Sequence, residues 1–308
     1  MQAPSDSLDN LFVPVRQESG EQERISRPAL SAFQDSWRRL RQNKAAVISL
    51  ILLAIMVILA IIGPWLTKYS YAQTNYSAVY QSPSSEHWFG TDKFGRDQWA
   101  RIWQGTRISL LIAVLAAALD LVVGVAYGAI SALKGGKVDN AMQRIIEILI
   151  GVPSLIIIIL LMMIMKANIF TIMVAMSITG WVGMARLVRA QILKLKQQEF
   201  VLAARTLGTS NTQIIMKHLI PNTIGMIVIN TMFTIPSAIF TEAFLSFIGL
   251  GLQSPQASLG VLIHDGFQTL NSHFYLLLYP ALVIVVIMVA FNILGDGLRD
   301  ALDPRMRK

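Results

Sequence analysis

Residues 45–66 read AAVISLILLAIMVILAIIGPWL, an apolar run without one charged side chain. A helix rises 1.5 Å per residue, so about 20 such residues cross a hydrocarbon core of about 30 Å. The run predicts a transmembrane helix, and the same reading extends along the chain. Residues 108–133 predict a second span, interrupted only by Asp120. Residues 148–165 predict a third, continuing a helix that begins near Asp139. Residues 167–185 predict a fourth, and residues 274–295 a sixth. Between them, residues 222–247 predict a fifth, with Pro236 as a kink and Glu242 near its far end. Residues 249–263 are uncharged too, but Gly, Pro, Ser and Gln interrupt them, which predicts a loop or re-entrant segment. The expected fold is an all-α membrane protein with about six transmembrane helices.

Composition agrees. Hydrophobic residues make up 54% of the chain and charged residues 14%, against roughly a quarter charged in soluble domains. There is too little charge to cover a water-soluble surface of this size, which excludes a soluble enzyme. Cysteine is absent, so disulfides, thiolate chemistry and Cys-ligated metals are excluded. Residues 1–30 are polar and mixed in charge, with no apolar centre, and read as a flexible tail rather than a signal peptide.

The net charge of +8 follows membrane topology rather than nucleic-acid binding. With six spans and the N-terminus inside, 20 of the 26 Lys and Arg fall on inner segments and 6 on outer ones, five of these in the first outer loop. This asymmetry predicts both termini in the cytoplasm of a multi-pass plasma-membrane protein. Two segments have an interfacial pattern. Phe33, Trp37 and Leu40 recur at helical spacing before the first span, and Trp99, Ile102 and Trp103 do so before the second. Ordinary helix packing is the alternative for both.

The sequence offers no chemistry of its own. Lys134-Gly135-Gly136-Lys137 lacks the first glycine and the hydroxyl of a phosphate loop, so no ATP site is expected. Four histidines include no H-E-x-x-H pair, and Gly295-Asp296 with Asp120 gives only a weak match to the paired aspartates of an intramembrane protease. No catalytic residue, cofactor or metal site is predicted. Charges within spans still need a reason. Asp120 reads either as a pathway residue facing substrate or as a carboxylate hydrogen-bonded to a neighbouring helix. Glu147 and Glu242 sit near span ends, where water or a cationic partner is expected to reach them.

The longest inner loop carries Glu199-Phe200-Val201-Leu202-Ala203-Ala204-Arg205-Thr206-Leu207-Gly208, then His218-Leu219-Ile220-Pro221-Asn222. Ala203 and Ala204 predict a surface that another backbone can approach closely. Gly208 permits a turn that side chains disfavour, and Pro221 suits the first turn of a helix. The physical reading is a short helix, a glycine break and a second helix, and a merely structural helical hairpin fits that pattern equally.

The stretch resembles the E-A-A-x-x-x-G-x9-I-x-L-P loop of permease subunits in binding-protein-dependent ABC importers. Aligned on Gly208, the residues Ala203, Ala204 and Pro221 match. Leu202 stands where glutamate is common, with Glu199 one turn earlier, and His218 and Ile220 replace the first isoleucine and the leucine. His87-Trp88-Phe89-Gly90-Thr91-Asp92, Gly95-Arg96-Asp97, residues 242–251 and Gly295-Asp296-Gly297-Leu298-Arg299-Asp300 leading to Asp303-Pro304 resemble oligopeptide and dipeptide permease C subunits.

That resemblance implies a type I ABC importer permease fold, with residues 31–66 as interfacial helix and first span and 67–106 as an extracellular loop. Residues 107–297 would form the permease core and 298–308 a cytoplasmic tail. It also implies a homologous second permease, two ATP-binding subunits and an extracellular peptide-binding protein as partners. Glu199, Ala203, Ala204, Gly208 and Pro221 would then form the ATPase-coupling loop, and Asp120 a possible pathway residue. The implied function is import of oligopeptides; dipeptides, nickel or other small solutes are the alternatives, and an ion-coupled transporter is the rival class.

Overall fold

The computed structural model describes residues 32–165 and 168–302. The expected tail at 1–30, the Lys166 connection and Asp303-Pro304 lie outside the described residues. Eleven α-helices and no strands occur among the described residues: α1 Ala32–Gln42, α2 Lys44–Ile62, α3 Gln98–Lys134, α4 Gly136–Gly151, α5 Ser154–Met165, α6 Ile169–Leu195, α7 Glu199–Thr206, α8 Asn211–Ile214, α9 Ile220–Leu245, α10 Leu259–Gln268 and α11 Tyr275–Leu302. Five helical stretches are long and apolar enough to cross a membrane, and α4 with α5 form a sixth candidate bent by 79°.

The axis of the bundle is the pairing of α3 with α6, which run parallel. Asp120 lies beside Gly180, Gly124 beside Met184, and Gly128 beside Ala185 and Val188. A Cβ on Gly124 would lie 2.6 Å from Met184 Cβ, so the small-xxx-small pair Gly124 and Gly128 sets the close approach. Parallel neighbours in one chain require a return crossing between them. The bent pair α4–α5 is that crossing, and six crossings place α1 and the far end of α11 together. The packing shows this directly: Leu40 and Ala46 lie against Gly297.

The third span differs from the straight helix that its sequence predicts. Pro153 has no N–H to donate and disfavours helical backbone at Val152, whose ψ is 125°. The helix breaks there and restarts at Ser154.

The predicted interfacial segment at Trp99, Ile102 and Trp103 is also revised. These residues are the first turns of α3, whose 37 residues extend about 55 Å, well beyond a hydrocarbon core. Ile102 and Trp103 are buried. Trp99 Nε1 donates to Gly63 O at 2.9 Å, and Arg107 donates to Ala60 O and Ile61 O at 3.0 and 2.6 Å. The carbonyls orphaned at the end of α2 thus find donors on α3. At the other candidate, α1, Leu40 is buried while Trp37 remains exposed under the Arg41 guanidinium, 5.0 Å from its ring.

Residues 66–97 fold over the α10 end of the bundle around a buried polar cluster. Asp97 accepts from Ala100 N at 2.9 Å, capping α3, and pairs with His87 Nδ1 at 2.8 Å. Asp92 accepts from Arg96 Nε at 2.7 Å, and Lys93 reaches Asp265 on α10 at 3.0 Å. Glu86 is held below the ordinary carboxylate range by the Tyr69 hydroxyl and the Lys68 ammonium. The segment after α9 begins with a wide helical turn, Ser246–Leu250, and returns through α10, packed on α9 and α11.

Candidate translocation cavity and coupling loop

A cavity of about 680 Å³ opens between α3, the α4–α5 bend, α6 and α9. Each long helix contributes a stripe at helical spacing. From α6 come Met176, Thr179, Gly183 and Arg186; from α9 come Asn230, Thr234, Ser237 and Thr241. The bend adds Val152, Pro153 and Ser154. Thr234 and Thr241 donate to the carbonyls of Asn230 and Ser237 at 3.0 and 2.9 Å, which satisfies their hydroxyl protons within apolar surroundings. The wall is therefore mostly apolar with scattered acceptors.

Asp120 stands in this wall, 7% exposed, and its Oδ1 has no hydrogen-bond partner. Of the two sequence readings, the carboxylate bonded to a neighbouring helix is not what the structure holds. Its carboxylate lies flat against Gly180, where a Cβ would overlap it. Glu242 is the opposite case and corrects an expectation. It is fully buried, and no cation among the described residues pairs with it. Ser109 and Ser246 each donate to it at 2.8 Å. Glu147 is exposed and paired with Arg144 at 2.7 Å.

The predicted loop residues cluster at the α1 end. Glu199 begins α7 and is exposed. Ala203 is exposed, but Ala204 faces inward with Val201, packed among Ala132, Val188, Ile192 and Ile214. Gly208, at φ +79°, closes α7: Thr209 N donates to Ala204 O at 3.1 Å and Gly208 N to Arg205 O at 2.9 Å. This pair of bonds is a Schellman cap, whose left-handed residue favours glycine. A capping box of Ser210 and Gln213 starts α8. The second helix then runs through a wide turn, Ile215–Leu219, into α9, where the turn accommodates the missing donor of Pro221. Pro221 sits exposed in the first turn of α9. The exposed side of the loop carries Phe200, Leu202, Leu207 and Met216, with Leu207 85% exposed.

Several residues outside the expected set shape both features. Asp139 on α4 holds Arg189 on α6 through two bonds of 2.7 and 2.6 Å, and also accepts from Ser131 on α3. Lys196 Nζ donates to Ala132 O at 2.8 Å. Arg186, Thr179 and Asn230 were not singled out by sequence, and only packing shows that the stripes of α6 and α9 that carry them face one another.

Five helices and one bent pair long and apolar enough to cross a membrane, a cavity between them and an exposed helical loop at one end define a membrane permease. The chain belongs to the family of binding-protein-dependent transport system inner membrane components, whose model matches residues 124–308. The N-terminal TM domain of oligopeptide transport permease C matches residues 31–83. The chain is 48% identical to the dipeptide transport system permease protein DppC of Bacillus subtilis over 97% of its own length and 94% of that protein's. It is 47% identical to the oligopeptide transport system permease protein OppC of the same organism, over 97% and 98%. OppC of Escherichia coli K12 is 43% identical over 92% and 95%. A chain of the inward-facing MetNI methionine ABC transporter shares the fold, with a TM-score of 0.55 at 17% identity, over 66% of this chain and 96% of that one.

Proposed function

We propose that this chain is one permease half of an ATP-driven importer of peptides. The observation that carries the reading is a single continuity. The helices α6 and α9, which wall the cavity, run directly into the exposed loop of α7 and α8 at one end. Its relatives are named for dipeptide and oligopeptide transport, which supports peptides as the cargo.

In this reading a homologous second permease supplies the other half of the pathway, and Asp120 lines it. One of two ATP-binding subunits docks on the loop at Glu199, Ala203 and Gly208 and on the exposed Leu202 and Leu207, and the other on the matching loop of the second permease. Ala204 and Pro221 hold the loop's shape. ATP binding draws the two loops together, and the rigid connection through α9 turns the cavity outward to receive peptide from an extracellular binding protein. This chain performs no hydrolysis.

In this reading the α1 end faces the cytoplasm, with both termini inside and residues 67–106 outside. Charge supports this orientation beyond the tally. The five cations of 67–107 are all held: Lys68 by Glu86, Lys93 by Asp265, Arg96 and Arg101 by Asp92, and Arg107 by backbone carbonyls. They serve the fold on that side. The test is uptake in cells lacking the subunit, comparing labelled peptides of two to eight residues with nickel and free amino acids. Peptide uptake is expected to fall and the others to persist. Undiminished peptide uptake with lost nickel uptake overturns the assignment.

A further inference from the structure

Asp120 and Arg186 are the two charged residues in the cavity wall. A carboxylate 93% removed from solvent without a hydrogen-bond donor is costly, and each such group needs a partner. No neighbouring helix supplies one. Gly180 keeps the space beside it clear, because any side chain there would overlap the carboxylate. Arg186 is exposed and has no ion pair among the described residues, whereas Arg189, one turn on, is held by Asp139. One anionic and one cationic group thus stand unpaired in the same chamber.

Their offset along the bundle axis is set by α6. From Gly180, which touches Asp120, to Arg186 is six residues, or about 9 Å along the helix axis. An extended peptide of two or three residues spans roughly 7–11 Å. Resting on the peptide-import reading, we infer that the cavity reads both ends of a short zwitterionic peptide, with Asp120 taking its ammonium and Arg186 its carboxylate. Di- and tripeptides engage both groups. A six-residue peptide, roughly 20 Å when extended, engages Asp120 and carries its carboxylate past Arg186. The permease itself therefore favours short peptides, in addition to any choice made by a binding protein.

The test uses the complete importer in proteoliposomes, with initial rates measured for trialanine and hexaalanine well below half-saturation. The ratio of the two rates cancels differences in protein level and in delivery. Arg186→Gln is expected to lower the trialanine-to-hexaalanine ratio about tenfold, as loss of one charged hydrogen bond does, and Arg186→Lys to keep it within about twofold. Asp120→Asn is expected to slow both peptides about tenfold at an unchanged ratio. An Arg186→Gln ratio equal to that of the unmodified importer overturns the inference even where Asp120→Asn fails to assemble. Wild-type rates for both peptides with Asp120→Asn overturn it as well. An unmodified importer that carries neither peptide contradicts the import reading itself.

Discussion

Ser109 on α3 donates to Glu242 on α9 at 2.8 Å, and the same hydroxyl accepts from Leu259 N, at the start of α10, at 3.1 Å. One oxygen therefore ties the second and fifth crossings to the returning segment between the fifth and sixth. Ser109→Ala leaves a buried carboxylate oxygen and a buried amide short of a partner, so it is expected to cost about 1–3 kcal/mol. Thermal unfolding of the purified protein in detergent measures this. An unchanged midpoint means that Ser109 does not hold the returning segment.

Gly128 faces the backbone of α6, where a Cβ would overlap the Ala185 carbonyl. Backbone cannot move aside as a flexible side chain can. Gly128→Leu is expected to separate α3 from α6 and to destabilise by at least the 1–3 kcal/mol typical of overpacking. Gly183→Ala serves as the control, since a Cβ there meets nothing. Equal stability of the two variants, read by thermal unfolding, would show that the parallel pair is not tightly packed at this level.

Six crossings were legible because long uncharged runs carry their own length requirement. The bend at Val152–Pro153 was written in the sequence as a proline, but the apolar run on either side masked it. The burial of Glu242 was not legible, since its partners Ser109 and Ser246 lie on different parts of the chain and serine is silent as a signal. In the loop, the Gly208 break followed from glycine alone. The inward turn of Ala204 depends on the α3 and α6 residues beneath it, which spacing does not reveal. Asp120 stood out as a charge within a span, whereas Arg186 looked like an ordinary cytoplasmic cation until α6 was seen to line the cavity down to that level.

The proposed coupling role rests on the exposed side of α7 and its cap. Leu207→Asp alters a side chain that is 85% exposed, so the fold should be kept while binding of ATPase subunits falls. Gly208→Leu forces a left-handed backbone on a residue that resists it by roughly 1–2 kcal/mol, and should abolish uptake while the subunit still reaches the membrane. Co-purification of the ATPase subunits checks the first and peptide uptake the second. Wild-type values for both variants would make the loop purely structural.

Orientation can be read in intact cells because the chain has no cysteine. Tyr76→Cys, at a position 75% exposed, should react with an impermeant thiol reagent from outside, and Leu207→Cys only after lysis. The reverse pattern would invert the topology.

As proposed above, this chain is a conduit driven by ATPases that it does not contain. That proposal is tested most directly by reconstituting the subunit with its partner permease, two ATP-binding subunits and binding protein, and following labelled trialanine into proteoliposomes. Accumulation is expected to need ATP and every subunit, and this chain alone is expected to release no phosphate. Accumulation without ATP, or hydrolysis by the isolated subunit, would contradict the proposal.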